Sequence, residues 1–399
     1  MIKNIVFKLK IFLNHLIDLT FDFKKVFFGK YRKIKKGSKI KSVFILTFDM
    51  EWDCFSSVYE NFKSSKAFDV LVVTDDLKRK NSSSPSDFLT KLGISFIKIA
   101  EFSRSKFGPH LIFVADVNTV IRHRWILRSN SRICYIPYGT SVSAASYSYK
   151  HQYNLRLHQK AWRIFVAGNF VVNLYHKHCD RGSSHVIPTG HPKVEAIFNY
   201  NAQKRSTSEE ILEDKPCEIL WNIHYDRNGQ WSTWNMYGEY ILKLVDSFHN
   251  IKLVCRPHPF FFDSFTCSKE RKIVHSMISK NKNTYLDENP SIKGAFSTCD
   301  ALITDGSSII YDFIFSLKPI LYLRNKGSAQ LHSHCYNIIR KHHYIGNEKE
   351  KIKTFLKEIP QGNDPQKAKR FSSMLKTLGI PKPLGTGNKI TKHILTQIR

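Results

Sequence analysis

Three short stretches of this 399-residue chain combine residue types that could handle a phosphate. In "TDGSSIIYD" (304–312), Asp305, Gly306, Ser307 and Ser308 stand between a strand-like run, "DALIT", and a helical one, "SIIYDFIFSL". Glycine lets a backbone come close to a ligand. Ser307 or Ser308 can cap the helix and offer a hydroxyl, and the first N–H groups of a helix favour an anion. "RPHPF" (256–260) follows the apolar run "IKLVC"; Pro257 and Pro259 stiffen the loop that carries Arg256 and His258. Both side chains suit a phosphate, and His258 could also protonate a leaving oxygen. A third loop, with Asn222, His224, Tyr225, Asp226 and Arg227, follows "CEILWNI". It reads either as a wall of a nucleotide pocket or as a plain connector. The bland counterparts of the first two are an ordinary helix cap and a structural histidine.

The elements that position these loops form two series. "SVFILTF" (42–48), "DVLVVT" (69–74), "ISFIKI" (94–99), "LIFVA" (111–115) and "RICYI" (132–136) are continuous apolar runs, as in strands buried on both faces of a parallel sheet. "CEILWNI" (217–223), "IKLVCR" (251–256), "NTYLD" (283–287), "DALITD" (300–305) and "PILYL" (319–323) repeat the pattern after a polar stretch, "NYNAQKRSTSEE" (199–210), that suits a linker. The expected class is α/β, with two doubly wound Rossmann-like domains facing across a cleft, at 42–205 and 206–399. Such sheets bind ligands at the carboxyl ends of their strands, where all three loops lie.

The formal charge of +29 calls for an anionic partner: nucleic acid, an acidic membrane or phosphorylated substrates. Zinc-finger spacing, an RNP-like aromatic motif and a compact basic helix are all missing, which argues against nucleic acid. Residues 1–41 hold twelve Lys and Arg against Asp18 and Asp22, with Ile2, Ile5, Val6, Leu9, Phe12, Leu13, Leu16 and Ile17 at helical spacing. This reads as an amphipathic basic segment at an anionic membrane surface, and so as a peripheral protein on the cytoplasmic face. No apolar run reaches the ~20 residues of a membrane span. The eight cysteines are scattered without a C-x-x-C pair, as for buried thiols in a reducing compartment. "LHSHC" (331–335) is the one stretch that suggests a metal, and no second cluster supports it.

The loops together resemble the CDP-glycerol glycerophosphotransferase family, which includes teichoic-acid primases and polymerases of GT-B-like fold. The resemblance rests on Thr304-Asp305-Gly306-Ser307-Ser308 with Asp312 four residues on, then Lys318-Pro319-Ile320. It rests also on "RPHP" (256–259) and on "TGHPKVEAIF" (189–198). It runs loosely over 42–330. It implies transfer of glycerol phosphate, or a related polyol phosphate, from a CDP-activated donor to a hydroxyl of a cell-surface polysaccharide or teichoic-acid-like acceptor, with CMP released and no metal or other cofactor. His258, Ser307 and Ser308 would contact the donor pyrophosphate, and Asp305 and Asp312 would shape that site. Arg256, Gly306, Asn222 and His224 complete the expected donor side, and Gly139 and Thr140 the acceptor side.

One departure stands out. Where the family carries a His-Gly proposed to activate the acceptor hydroxyl, this chain has "YIPYGTS" (135–141), with Tyr138 in the histidine's place. A tyrosine, with an unperturbed pKa near 10, is a poor base at neutral pH. His110, Asp116, His151 and His158, and the acidic cluster Asp49, Glu51 and Asp53, are the other candidates. Three alternatives stay open: a nucleotide-sugar-dependent glycosyltransferase on the same fold, a nucleic-acid-binding protein, and an envelope-assembly scaffold that binds donor without turnover.

Overall fold

In a computed structural model, the structure describes residues 31–76, 84–140, 143–144, 146–196, 215–225, 231–258, 260–265, 268–289, 292–324, 327, 330–378 and 385–398. Residues 1–30 of the amphipathic segment, the 199–210 linker, and Asp226 and Arg227 lie outside the described residues.

The first sheet contains β1 (Ile40–Leu46), β2 (Phe68–Thr74), β3 (Ile97–Lys98), β4 (Leu111–Val114), β5 (Arg132–Tyr135), β6 (Arg163–Val166) and β7 (Val186–Pro188), in the order β3-β2-β1-β4-β5-β6-β7. The second contains β8 (Cys217–Asn222), β9 (Ile251–Cys255), β10 (Thr284–Leu286), β11 (Ala301–Thr304), β12 (Ile320–Leu323) and β13 (Tyr344–Gly346), in the order β10-β9-β8-β11-β12-β13. Every strand pair in both sheets is parallel. Each sheet therefore reverses its winding once, between β1 and β4 and between β8 and β11, and opens a crevice there at the carboxyl ends.

Alternation within the strands sorts the core. Phe44 and Leu46 pack with Phe113 on one face of the first sheet, under the helix Trp52–Lys63. Val43, Ile45, Ile112 and Val114 point the other way and join Leu220, Val254, Leu302 and Ile320 of the second sheet in one continuous cluster. The two units thus share apolar core as well as a cleft.

Three strands, β6, β7 and β13, are new relative to the sequence reading, and "ISFIKI" contributes only Ile97–Lys98. The last helix, Thr386–Ile398, belongs by sequence to 206–399 but packs on the first unit, burying Ile390 and Ile394 beside Phe55 and Trp162. Gly387 makes this docking possible: a Cβ there would lie 2.4 Å from the Ser57 carbonyl oxygen. Buried Glu195 accepts hydrogen bonds from Gly385 N–H (2.5 Å), Thr386 N–H (3.0 Å) and Gly387 N–H (3.2 Å), so a first-unit carboxylate caps that helix.

The helix expected over 308–317 is Ile309–Ile314, only six residues long. Leu317 has φ of +60°, which ends it, and Lys318 precedes a proline, which disfavours helical backbone. Lys318 Nζ then donates to the carbonyls of Phe296 (3.1 Å), Ser297 (3.0 Å) and Cys299 (2.5 Å), closing the end of the neighbouring helix Lys293–Thr298. The strained Leu317 is held from outside. Buried Arg370 donates to the Leu317 carbonyl (3.0 Å) and the His342 carbonyl (3.1 Å) while pairing with Asp364.

Replacing Arg370 with Met strands Asp364 and frees Leu317. The expected loss is about 3–5 kcal/mol, read as a lowered urea midpoint. An unchanged midpoint would contradict this role.

Candidate active site

The donor-side loops meet at the β8/β11 crevice, and Asp305 is what joins them. It is 1% exposed, and its carboxylate accepts from His224 N–H (2.9 Å), Thr233 N–H (3.1 Å) and the Thr233 hydroxyl. With its oxygens engaged this way Asp305 orders the loops around it. Asn222 works alongside. Its amide donates to the Arg256 carbonyl (2.9 Å) and its oxygen accepts from the Thr304 hydroxyl (3.3 Å), so it ties three strand ends together beneath the pocket. Arg256 pairs with buried Asp287 at 2.8 Å.

His258 is fixed at both ends. Its N–H donates to the Ile223 carbonyl (2.8 Å), and its Nδ1 accepts from Phe260 N–H (3.1 Å). The neutral ring therefore carries its proton on Nε2, assigned from this network. Its neighbours are aromatic: ring centroids lie 5.1 Å from His224, 4.5 Å from Tyr225 and 5.5 Å from Phe260. At the turn, Ser307 N–H donates to the Asp305 carbonyl (2.8 Å) and Ser307 Oγ accepts from Ile309 N–H at 3.5 Å. Among the described residues the Ser308 hydroxyl has no hydrogen-bond partner. So short a helix lends little dipole, and anion binding here rests on individual N–H and O–H donors.

The acceptor-side loop comes from the end of β5 and closes on this turn. A Cβ on Gly139 would lie 3.1 Å from Ser308 Oγ, so only glycine lets the two loops lie this close without displacement. Tyr138, beside it, is 49% exposed, and its N–H donates to the Ala115 carbonyl at 3.1 Å. Thr140 is buried. Below the contact, Asp312 forms a buried ion pair with Lys193 of the first unit. Two residues earlier, buried His191 donates from Nε2 to the Pro137 carbonyl at 2.5 Å, while its Nδ1 accepts from Lys193 N–H at 3.3 Å. Pro137, His191, Lys193 and Asp312 thus form one relay from the acceptor-side loop to the donor-side motif. Asp312 thereby holds the halves together. Sequence reasoning quoted "GHPKVE" only as part of a resemblance and missed Lys193, His191 and Thr233. No spacing signals a contact between residues 119 apart.

The other candidate bases separate by position. His110 is at the amino end of β4, where its Nδ1 accepts from Lys41 N–H (3.0 Å), on the edge away from the cleft. His158 is fully buried, its Nδ1 accepting from Leu155 N–H (3.0 Å), and burial drives it down to about 3. His151 is exposed on the helix Ser146–Tyr153. Asp116 caps a helix, accepting from Asn118 N–H at 3.0 Å. Asp49 and Asp53 are buried beside Glu51 after β1. Glu51 is the unusual member. Its Oε2 accepts from Thr47 N–H (2.6 Å) and Phe48 N–H (3.2 Å), and its Oε1 is buried without a partner among the described residues. Burial, reinforced by the Asp116 charge, pushes its carboxyl up to about 8.

The histidines of "LHSHC" are occupied otherwise. His332 Nε2 lies 3.2 Å from the Tyr153 hydroxyl, and His334 stacks on Phe170 at 4.5 Å, both across the unit boundary. No group of three His, Cys, Asp or Glu among the described residues is arranged to hold a metal. No described helix is long and apolar enough to cross a membrane.

Comparison with known proteins bears on family and fold. Residues 138–328 match the family described as CDP-Glycerol:Poly(glycerophosphate) glycerophosphotransferase. No curated protein matches the sequence. Among solved structures, UDP-GlcNAc 2-epimerase from Neisseria meningitidis bound to UDP-GlcNAc is 17% identical, with a TM-score of 0.59 over 90% of this chain and 100% of that one. MnaA of S. aureus with UDP gives 13%, 0.59, 90% and 98%. A variant of the wall teichoic acid polymerase TagF soaked with CDPG gives 14%, 0.58, 90% and 90%. At such identities the likeness is one of fold, a two-sheet α/β architecture of GT-B type.

Two measurements test this geometry. Lys193→Met should cost about 3–5 kcal/mol by stranding Asp312, and adding Asp312→Leu should recover most of it. Burial works against the Lys193 charge, but the Asp312 carboxylate more than offsets it, and the amine is held above its ordinary value of 10.5. This stabilisation is therefore complete below about pH 10.5 and lost as pH rises through the raised value, a decline the double variant should lack. Glu51 also has a folded value above its ordinary 4.5, so its contribution is greatest below about pH 4.5 and falls away towards pH 8. Glu51→Gln keeps an acceptor for both N–H groups. Its melting temperature relative to the parent should rise steadily from pH 5 to pH 8; a constant difference would refute the buried-acid assignment.

Proposed function

We propose that this chain, whose residues 138–328 match the family described as CDP-Glycerol:Poly(glycerophosphate) glycerophosphotransferase, transfers glycerol phosphate, or a related polyol phosphate, from a CDP-activated donor to a hydroxyl of a teichoic-acid-like polymer. The observation that carries this reading is the junction of the two loops. The Asp305–Ser308 turn lies against the Gly139 loop of the opposite unit, an arrangement that supports donor phosphate and acceptor hydroxyl meeting in one crevice.

In this reading the donor pyrophosphate sits on the turn, against the Ser307 and Ser308 hydroxyls and the backbone N–H groups. Arg256, anchored by Asp287, adds positive potential. The acceptor oxygen bonds to the phosphorus that bears glycerol while the bond from that phosphorus to the CMP oxygen breaks, and the acceptor hydroxyl's proton leaves to water or to the departing CMP phosphate. The proton on His258 Nε2 faces the developing negative charge on CMP. The chain's main contributions are positioning and charge neutralisation, as in phosphoryl transfer generally, and the reading calls on no resident metal. Residues 1–41 place the protein peripherally on an anionic membrane surface, on the cytoplasmic side where a nucleotide donor is made. Nucleic acid is not part of this reading.

The test is nucleotide release. Purified protein is incubated with CDP-glycerol, CDP-ribitol, a CMP-activated acidic sugar and UDP-sugars, with membrane extract as acceptor. CMP should be released from CDP-glycerol or CDP-ribitol, and His258→Ala should lower the rate about 10²–10⁴-fold. Release only from a nucleotide sugar would overturn the donor assignment. Donor binding with no release would assign the chain a non-catalytic role and make Tyr138 the reason.

A further inference from the structure

We propose that Arg132, Arg163 and Arg181, gathered around Tyr31 and Trp162 at the amino edge of the first sheet, form a site on the folded body for the phosphodiester head groups of an anionic lipid surface. The inference rests on the membrane association proposed above and extends it from the terminal segment to the fold.

Arg132 opens β5 and Arg163 opens β6, while Arg181 stands in the loop before β7. The Arg132 guanidinium lies 4.8 Å from the Tyr31 ring and 5.8 Å from the Trp162 ring; that of Arg163 lies 4.9 Å from Trp162 on its own account. Their hydrogen bonds go to neutral groups. Arg132 donates to the Arg32 carbonyl (3.2 Å), and Arg163 to His393 Nε2 (3.1 Å), the Trp162 carbonyl (3.0 Å) and Gln397 Oε1 (3.0 Å). Arg181 donates to the Gln159 (2.9 Å) and Ala161 (2.6 Å) carbonyls. Among the described residues none of the three has a carboxylate partner.

Such crowding is unfavourable for the protein alone. The charges of Arg181, Arg132 and Arg163 all reach the Tyr31 phenol. Burial pulls Arg132 and Arg181 below the ordinary arginine range, and the Arg163 charge adds to this at Arg181. A phosphate group would offset the repulsion, and guanidinium forks match its geometry. Exposed Lys33, Lys35, Lys36 and Lys39 continue the positive surface.

Place decides which anion. The cluster is at the amino ends of the strands, opposite the catalytic crevice, so an acceptor polymer held there would gain nothing in reaching the donor. It is also where the chain emerges from residues 1–30, whose apolar residues recur at helical spacing among lysines. A polymer of phosphates would leave that apolar periodicity without a purpose; a bilayer uses both, and the aromatic–cation pairing suits its interface.

The test floats full-length protein with vesicles of phosphatidylcholine, with and without phosphatidylglycerol, in ~0.1 M salt. The variant is Arg132→Gln/Arg163→Gln/Arg181→Gln, with residues 1–30 intact. Partition onto phosphatidylglycerol vesicles should fall about fivefold per charge removed, so roughly 100-fold for the triple variant. CMP release with a soluble acceptor should stay unchanged, which separates this inference from the assigned activity. Equal partition of parent and variant would overturn the site while leaving attachment through residues 1–30 standing. Failure of the parent to bind would overturn both. Equal binding to vesicles without phosphatidylglycerol, or a loss confined to soluble polyglycerol phosphate, would also overturn it. Should the triple variant misfold, exposed Arg181→Gln alone must still show its fivefold share.

Discussion

A single buried ion pair, Lys193 with Asp312, fixes the relation on which the site depends. A charge sealed between two domains is tolerable only while its partner stays in place, so the pair disfavours any arrangement that separates them. Both ends are tied to chemistry. Asp312 follows the anion-binding turn by four residues. Lys193 follows His191, which holds the Pro137 carbonyl and so the loop of Tyr138 and Gly139. Loss of the pair would loosen an apolar interface that the shared core could still hold roughly together. It would leave undetermined whether Ser308 and Gly139 meet at their present distance.

Around this pair the acidic residues serve positioning more than proton transfer. Asp305 gathers His224 and Thr233, Asp287 orients Arg256, Asp312 joins the units and Glu195 caps the last helix. A phosphate site made of carboxylates would repel its ligand. Here each one is buried and satisfied by N–H, O–H or cationic donors, so the pocket itself presents mainly donors. The cations are likewise divided between a few ordered ones at the crevice and a cluster on the opposite edge of the first sheet.

The sequence made most of the sheet legible because parallel strands buried on both faces are written as continuous apolar runs. "VFIL" and "ALIT" admit little else. β6, β7 and β13 were harder to see because they are short and bounded by tryptophan, histidine or glycine. The donor loops were legible because glycine, serine and proline at strand ends have few purposes. The roles of individual side chains were not. Nothing in the sequence announces the Thr233 hydroxyl against Asp305, or Lys193 against Asp312. Both partners are far away in sequence, and ion pairs across a domain boundary leave no periodicity. The docking of Thr386–Ile398 on the first unit was hidden for the same reason, since an amphipathic helix does not state which apolar face it seeks.

Tyr138 poses a narrower problem than its unusual identity suggests. In phosphoryl transfer the attacking hydroxyl needs little negative charge before the leaving group has begun to depart, so general-base help contributes about 10²–10⁴-fold. Positioning and electrostatic stabilisation account for most of the remainder. In the proposed reaction those larger contributions would come from the Asp305–Ser308 turn, Arg256 on Asp287, His258 held with its proton on Nε2, and the Gly139 contact that brings the acceptor loop to the turn. The tyrosine replaces the group with the smaller share. The buried carboxyl of Glu51 stands at the equivalent crevice of the first sheet with one oxygen unpartnered among the described residues, but at 1% exposure it cannot touch an acceptor in this conformation. In the proposed reaction direct contact with the acceptor hydroxyl would fall to the exposed Tyr138 side chain, and a phenol placed there can orient that hydroxyl by hydrogen bonding without becoming its base.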